Sequence, residues 1–306
     1  MKIFKNRGDI YIPKSENKKS REETVLKIIL VAVVVLTVVF LLLLNHKYKT
    51  VAQFFGEGEV TTTQLALDEQ DLPKISGKTN FLFFETDDEK EIIHYIMLIQ
   101  ADKDSKAYKV CSLSPKTRID NKSISEIYKS GGGASLQKKL TEYFGFEIDC
   151  YAEFENSSFV EFVSKLGNMV CYLDESIRFS GGSGDDKYTI HLNEGEQNIS
   201  GRELSNLLRY YSSEKEQFNL ENELFLSAIS RLFNESNFED CDSLFKLFIK
   251  SSTSNITVRD FENSKNALMI FCLKNEDITI YSVNCDYEKN VLTRQSVKQI
   301  KGYLSK

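Results

Sequence analysis

Twenty consecutive positions, Val25–Leu44, are apolar except for Lys27 and Thr37. At about 1.5 Å of rise per residue, a helix of that length spans roughly 30 Å, the hydrocarbon thickness of a bilayer. No small-x-small cleavage signature follows at residues 45–50, so the run is expected to remain as a transmembrane anchor rather than to be removed as a signal peptide. Seven basic residues precede it (Lys2, Lys5, Arg7, Lys14, Lys18, Lys19, Arg21), whereas Lys47 and Lys49 follow it closely. That asymmetry places the N-terminus inside the cell and residues 50–306 outside. The chain is therefore expected to be a single-pass cell-membrane protein. It divides into a cytoplasmic tail 1–24, the transmembrane helix 25–44, a juxtamembrane stalk 45–78 and an extracellular domain 79–306.

Charge divides at the same place. Residues 1–49 hold ten Lys/Arg against four Asp/Glu, a net +6, while the remainder holds 29 against 41, a net −12. An acidic ectodomain excludes a nucleic-acid partner, because phosphate backbones require a basic face. The basic tail reads as the topology signal, with the membrane surface as its natural contact. The six cysteines (Cys111, Cys150, Cys171, Cys241, Cys272, Cys285) show no CxxC spacing, which argues against structural zinc. An even number outside the cell would permit disulfides. Cys111, Cys171 and Cys272, however, sit in apolar runs where cysteine acts as a small hydrophobe, and mostly unpaired, buried thiols are expected.

From residue 79 onward, short apolar runs alternate with amphipathic ones. Strands are expected at 81–84, 92–101, 108–113, 149–154, 169–173, 188–192 and 278–283. Helices are expected at 135–144, after the GGG of 131–133, and at 157–166, 203–211, 221–233, 242–249, 264–273 and 294–304. This alternation predicts an α/β fold, a central mixed sheet flanked by helices.

Residues suited to chemistry are few. No GxSxG occurs, and His46, His94 and His191 lack a matching Ser or Cys, which leaves nucleophilic catalysis unsupported. His94, inside an apolar strand, reads first as a satisfied core residue. GGSGDD (181–186) lacks the Lys-Ser/Thr of a P-loop and reads as a hairpin turn. Asp87 follows the strand FLFF, at the C-terminal rim where open α/β sheets bind ligands. It is either a Mg²⁺ ligand or a solvated turn acid beside Asp88 and Glu89. Lys116 and Arg118, in SLSPKTR, fall near the same rim. Arg209 closes an amphipathic helix that restarts at Gly201, and its guanidinium can grip phosphate bidentately. Together these residues form an acid-plus-base set suited to Mg²⁺ and a diphosphate.

The order of these pieces resembles the LytR–CpsA–Psr family of bacterial envelope proteins. The resemblance runs through TNFLFFETD, IMLIQADKDSKAYKVCSLSPKTRI, IYKSGGGASLQKKLTEYFGFEIDCYAEFENSSFVEFVSKLGNMV and LNEGEQNISGRELSNLLRYY, covering about 79–304. It implies a domain whose interior binds a polyprenyl chain and whose rim holds the pyrophosphate with arginines and Mg²⁺. Its implied partners are a polyprenyl-pyrophosphate-linked glycan, such as a teichoic acid or capsule precursor, the peptidoglycan that receives it, and the membrane. Asp87 and Arg209 take the implied catalytic positions. Asp87 would hold the metal, and Lys116, Arg118 and Arg209 the pyrophosphate.

The match to the family is incomplete. Glu85 stands where the family's turn has glycine, His94 where a metal-side aspartate is implied, and Tyr211 where a second arginine follows the first. Lys116 and Thr117 replace an arginine and an aspartate, Asn219 and Asn222 replace an arginine pair, and Glu223 replaces a glutamine. Losing one donor to a phosphate costs about 2.7–4 kcal/mol of transition-state stabilisation, by analogy with an oxyanion hole. Two functions are therefore carried forward: a divergent glycopolymer–peptidoglycan phosphotransferase, and a lipid-binding or regulatory pseudoenzyme on the same fold.

Overall fold

The structure is a computed structural model that describes residues 72–274 and 278–305. The expected tail, the transmembrane helix Val25–Leu44 and stalk residues 45–71 lie outside the described residues. Among the described residues, no helix is long and apolar enough to cross a membrane.

The domain opens with β1 (Lys78–Thr86), β2 (Ile93–Asp102) and β3 (Ala107–Leu113), an antiparallel meander. A two-residue hairpin, β4 (Arg118–Ile119) and β5 (Lys122–Ser123), leads into α1 (Ile124–Phe144). Next come β6 (Cys150–Glu155), α2 (Asn156–Leu166) and four short strands: β7 (Met169–Leu173), β8 (Ile177–Gly181), β9 (Tyr188–Leu192) and β10 (Gly195–Ile199). Helix α3 (Gly201–Arg209) runs on into a π-helical turn, Tyr210–Lys215, and then α4 (Phe218–Leu232). The chain continues through α5 (Glu235–Glu239), α6 (Cys241–Ser251), β11 (Thr253–Ser254) and α7 (Val258–Leu273). It ends with β12 (Thr279–Ser282), β13 (Tyr287–Glu288), β14 (Val291–Leu292) and α8 (Arg294–Leu304).

Six strands form one sheet in the order β11-β6-β1-β2-β3-β12. It is mixed: β6 runs parallel to β1 and β12 parallel to β3, while the remaining pairs are antiparallel. Alternation along the strands sends Phe83, Tyr95, Met97 and Val110 to one face, packed with Phe159 of α2, Leu204 and Leu208 of α3 and Phe225 of α4. Leu82, Phe84, Ile96, Leu98 and Cys111 face the opposite side, covered by Leu136 and Leu140 of α1 and Ile300 and Leu304 of α8. Helices on both faces of a mixed sheet are the α/β arrangement expected from the sequence.

Several boundaries differ from expectation for identifiable reasons. The first helix does not begin after the glycines but runs through them. A capping box between Ser123 and Glu126 starts it at Ile124, and Gly132 absorbs a kink with φ 68° and ψ −172°. Gly133 lies so close to Tyr151 that a Cβ there would fall 2.6 Å from the ring. Helix α7 begins at Val258, six residues earlier than its apolar pattern suggested, because Thr257 and Asp260 form a second capping box. Residues 169–173 and 188–192 are strands as expected, but they pair with β10 and β8 in separate two-stranded ladders outside the central sheet. The 181–186 segment does join β8 to β9 as a hairpin. No disulfide joins any of the six cysteines, and Cys111, Cys171, Cys272 and Cys285 are buried.

Candidate functional site

The candidate site forms where β1 ends and β2 begins. Register along this antiparallel pair is regular until Glu85 faces Tyr95. It then jumps so that Thr86 faces Ile93, and His94 is left as the extra residue of a β-bulge. A bulge turns two neighbouring side chains of one strand toward a single residue of the other. Here His94 Nδ1 lies 2.9 Å from Glu85 Oε1, and the Tyr95 hydroxyl donates to Glu85 Oε2 at 3.0 Å. Glu85 is fully buried and collects two more donors on Oε1: Asn156 Nδ2 at 2.9 Å and Ser205 Oγ at 3.0 Å. Asn156 opens α2, which directly follows β6, the parallel neighbour of β1. Four donors explain how a carboxylate is accommodated in the core.

Helix α3 supplies the opposite charge. Ser200 and Glu203 form its capping box, fixing its start, and Ser205 and Arg209, four residues apart, share one face. Ser205 reaches Glu85. Arg209, itself buried, donates through Nη2 to Asp186 Oδ2 at 2.7 Å and to the Asp186 carbonyl at 3.2 Å, and its guanidinium lies 4.2 Å above the Tyr188 ring. Asp186 closes the network, since its Oδ1 lies 3.0 Å from His94 Nε2. That contact has ion-pair distance without hydrogen-bond alignment. The line of groups is Glu85, His94, Asp186, Arg209: acid, imidazole, acid, guanidinium.

These charges balance one another. Burial opposes protonation of His94, and Arg209 opposes it too. The flanking carboxylates of Asp186 and Glu85 outweigh both and raise its pKa above the ordinary 6.5. Burial pushes the Asp186 carboxyl up, but His94 and Arg209 together hold it below the usual carboxylate range. With imidazolium in place, two negative and two positive groups cancel. A pyrophosphate arriving here would find no surplus positive charge, because its arginine is already occupied.

The other residues singled out in the sequence lie in their own local structures. Asp87 is buried, and its Oδ1 accepts from the backbone N–H groups of Glu91 (2.7 Å) and Ile92 (2.8 Å), closing the β1–β2 turn. Its neighbour Asp88 caps α2 through Ser157 N at 2.8 Å. Lys116 pairs with Glu216 at 3.0 Å in an exposed contact. Arg118 donates to the Asn121 carbonyl at 2.8 Å within the β4–β5 hairpin. No hydrogen bond or ion pair among the described residues joins Asp87, Lys116 or Arg118 to Arg209.

The positions where an arginine pair was implied are also explained. Asn219 is exposed. Asn222 is fully buried and clips three elements together: its Oδ1 accepts from Ser112 N of β3 at 2.8 Å, and its Nδ2 donates to Ser282 Oγ of β12 (3.0 Å) and to the Val283 carbonyl (3.3 Å). Tyr211 is packed in the core against Tyr210. Donors for Mg²⁺ are correspondingly scarce. One Asp87 oxygen is committed to two amides, and the implied second acid is His94, whose ring nitrogens both face carboxylates. Among the described residues, no group of three or more His, Cys, Asp or Glu side chains is arranged to hold a metal ion. The acid side of the implied Mg²⁺–diphosphate site is thus reduced from two carboxylates to Asp87 alone.

Below the charged line lies apolar space. Phe83, two residues before Glu85 and on the same sheet face, lines a cavity of about 90 Å³ with Phe159, Phe162, Leu204 and Phe225. Phe162 and Leu232 also line a wider groove of about 540 Å³, whose other walls include Phe81, Phe245, Phe248 and Phe261. That is within the range of roughly 300–1,000 Å³ typical of small-ligand sites.

The LytR_cpsA_psr family model matches residues 46–296. The chain belongs to this family. The match begins inside the stretch read from sequence as a stalk, upstream of the resemblance noted from motifs. Solved structures agree in fold. A protein from Eubacterium siraeum DSM 15702 superposes with a TM-score of 0.66 at 18% identity, covering 78% of this chain and 95% of that one. B. subtilis TagV gives 0.60 at 17%, over 75% and 96%. TagT bound to LI-WTA gives 0.53 at 15%, over 74% and 89%. Among curated proteins, none matches the chain in sequence.

Two of the four charged residues in the line were visible in the sequence only as departures, Glu85 from a glycine and His94 from an aspartate. Asp186 ends the Gly184–Asp186 turn, ahead of β9, and neither turn nor strand periodicity in the sequence signals its meeting with His94 and Arg209.

Proposed function

We propose that this LytR_cpsA_psr-family protein is a membrane-anchored protein of the bacterial cell envelope, with its domain outside. It binds a polyprenyl-phosphate-linked glycopolymer in the apolar groove without transferring it to peptidoglycan. The observation that carries this reading is the Asp186–Arg209 pair, because the arginine that would stabilise a leaving pyrophosphate already has a carboxylate at 2.7 Å. Glu85 and His94 fill the space beside it and bring no net positive charge. The fold is shared with TagT, which has been solved bound to LI-WTA, and this supports a glycopolymer ligand. In-line phosphoryl transfer depends on positioning and charge neutralisation, and this rim provides neutralisation only for itself.

A second reading, retained transferase activity, is favoured by one observation. Asp186 is 24% exposed and ends a three-residue turn, Gly184–Asp186, so its carboxylate can swing away and release Arg209. One experiment separates the two. The full-length protein in detergent is titrated with polyprenyl diphosphate by native mass spectrometry, with and without Mg²⁺, while phosphate release is followed in parallel. Saturable binding that is indifferent to Mg²⁺, with no release, is the expected result. Mg²⁺-dependent release that Arg209→Ala or Asp87→Ala abolishes would establish the transferase. Absence of binding would leave a scaffold with a filled core.

A further inference from the structure

The sheet face opposite the candidate site holds a feature that the glycopolymer reading leaves unused. Cys111, in the middle of β3, and Cys285, just beyond β12, bring their Sγ atoms to 3.3 Å inside the core beneath α1 and α8. They lie 174 positions apart in sequence. Hydrogen bonds on both sides fix the pair. Before it, β12 runs parallel to β3 with Ser282 opposite Val110, and Val283 N donates to the Val110 carbonyl at 2.9 Å. After it, Ser114 N donates to the Tyr287 hydroxyl at 2.9 Å. The two thiols are therefore held in register by hydrogen bonds that involve neither of them. The contact is a product of strand pairing, not a chance approach of two loose side chains.

We propose that Cys111 and Cys285 are a disulfide-forming pair, whose oxidation locks the edge strand and the C-terminal helix to the sheet. Part of the proposal, that the bond forms in the cell, rests on the reading that the domain lies outside the membrane, where disulfides persist. The chemistry is thiol–disulfide exchange with a small-molecule or protein disulfide as oxidant. One cysteine, as thiolate, attacks the oxidant's sulfur and expels a thiolate. The second cysteine then attacks the mixed disulfide and expels the other. One protein S–S bond forms as the oxidant's S–S bond breaks, and the two protons and two electrons leave with the oxidant's two thiols. Contact with Cys285 and burial both hold the Cys111 thiol well above its ordinary pKa. Exchange therefore proceeds during folding or when β12 opens. The strand is suited to opening, as a four-residue edge element with every residue exposed.

The test uses the full-length chain in mild detergent, equilibrated with oxidised and reduced glutathione in enough urea to open local structure. It is then alkylated under denaturing conditions and digested. Mass spectrometry is expected to find peptides containing Cys111 and Cys285 linked, with the other four cysteines alkylated. The oxidised protein should also melt at a higher temperature than the reduced one, and Cys285→Ser should abolish that difference. Alkylation of both Cys111 and Cys285 in the most oxidising mixture, or their capture only as glutathione adducts, overturns the proposal. The wild-type peptide map stands on its own if Cys285→Ser fails to fold. A second arm alkylates the protein in intact cells. Linkage in the redox buffer together with reduced cysteines in cells supports the pair and counts against the outside placement, so the two failures are distinct.

Discussion

At the scale of single residues, the candidate site is a set of charges that satisfy each other. Asp186→Ala is the sharpest probe, since it removes the carboxylate from Arg209. Breaking a buried pair costs about 3–5 kcal/mol and an exposed one no more than about 1 kcal/mol, so a loss of about 1–3 kcal/mol is expected for the part-exposed Asp186. Thermal unfolding measures that loss. The same variant is expected to bind inorganic pyrophosphate more tightly than the wild type, read by calorimetric titration, and unchanged binding would show that Arg209 is not a latent anion site. His94 adds a pH signature. Its folded pKa lies above 6.5, so its contribution is complete below that value and disappears as pH rises through the folded value. The melting temperature should fall over that alkaline-going range, and His94→Gln should flatten the fall. Glu85 and His94 were legible as departures from a family pattern. Their meeting was not legible, because it depends on a one-residue bulge that no local propensity encodes.

At the scale of elements, most strands and helices could be read from apolar periodicity, and errors clustered where side-chain caps and glycines set the boundaries. Helix α1 illustrates this. The GGG sequence reads as a break, but the Ser123–Glu126 box nucleates a turn ahead of it, and Gly132 bends the helix without ending it. With φ 68° and ψ −172°, Gly132 occupies a region nearly closed to other residues. Gly132→Ala is expected to destabilise the domain by about 1–3 kcal/mol. Gly302→Ala in α8, where no atom lies within 4 Å of the new Cβ, should be neutral or slightly stabilising. Denaturant midpoints of the two variants give the comparison. In the short ladders β7–β10 and β8–β9, β7 and β9 were legible as strands while β8 and β10 were not, and neither ladder was legible as a satellite of the main sheet, since pairing partners are a tertiary choice.

At the scale of the whole molecule, the fold class of the described domain follows from the βα alternation, and the chain's membership of the LytR_cpsA_psr family rests on a match over residues 46–296. The membrane anchor remains a proposal with a direct check. Protease added to intact cells should digest the domain after residue 45 and leave the basic tail 1–24 protected. A protected domain with an accessible tail would reverse the orientation. The basic asymmetry supports the first outcome, with seven Lys/Arg ahead of Val25 against Lys47 and Lys49 just after Leu44.

Asn222 limits where the rim can carry charge. The position implied to carry a phosphate-gripping arginine joins β3, α4 and β12 through three hydrogen bonds, two of them buried and one part-buried. An arginine placed there would have to displace that joint and put an unpaired cation in the core. Packing therefore holds asparagine at this position, and a further cation would be accommodated more readily at an exposed position of the rim, such as Asn219, than at Asn222.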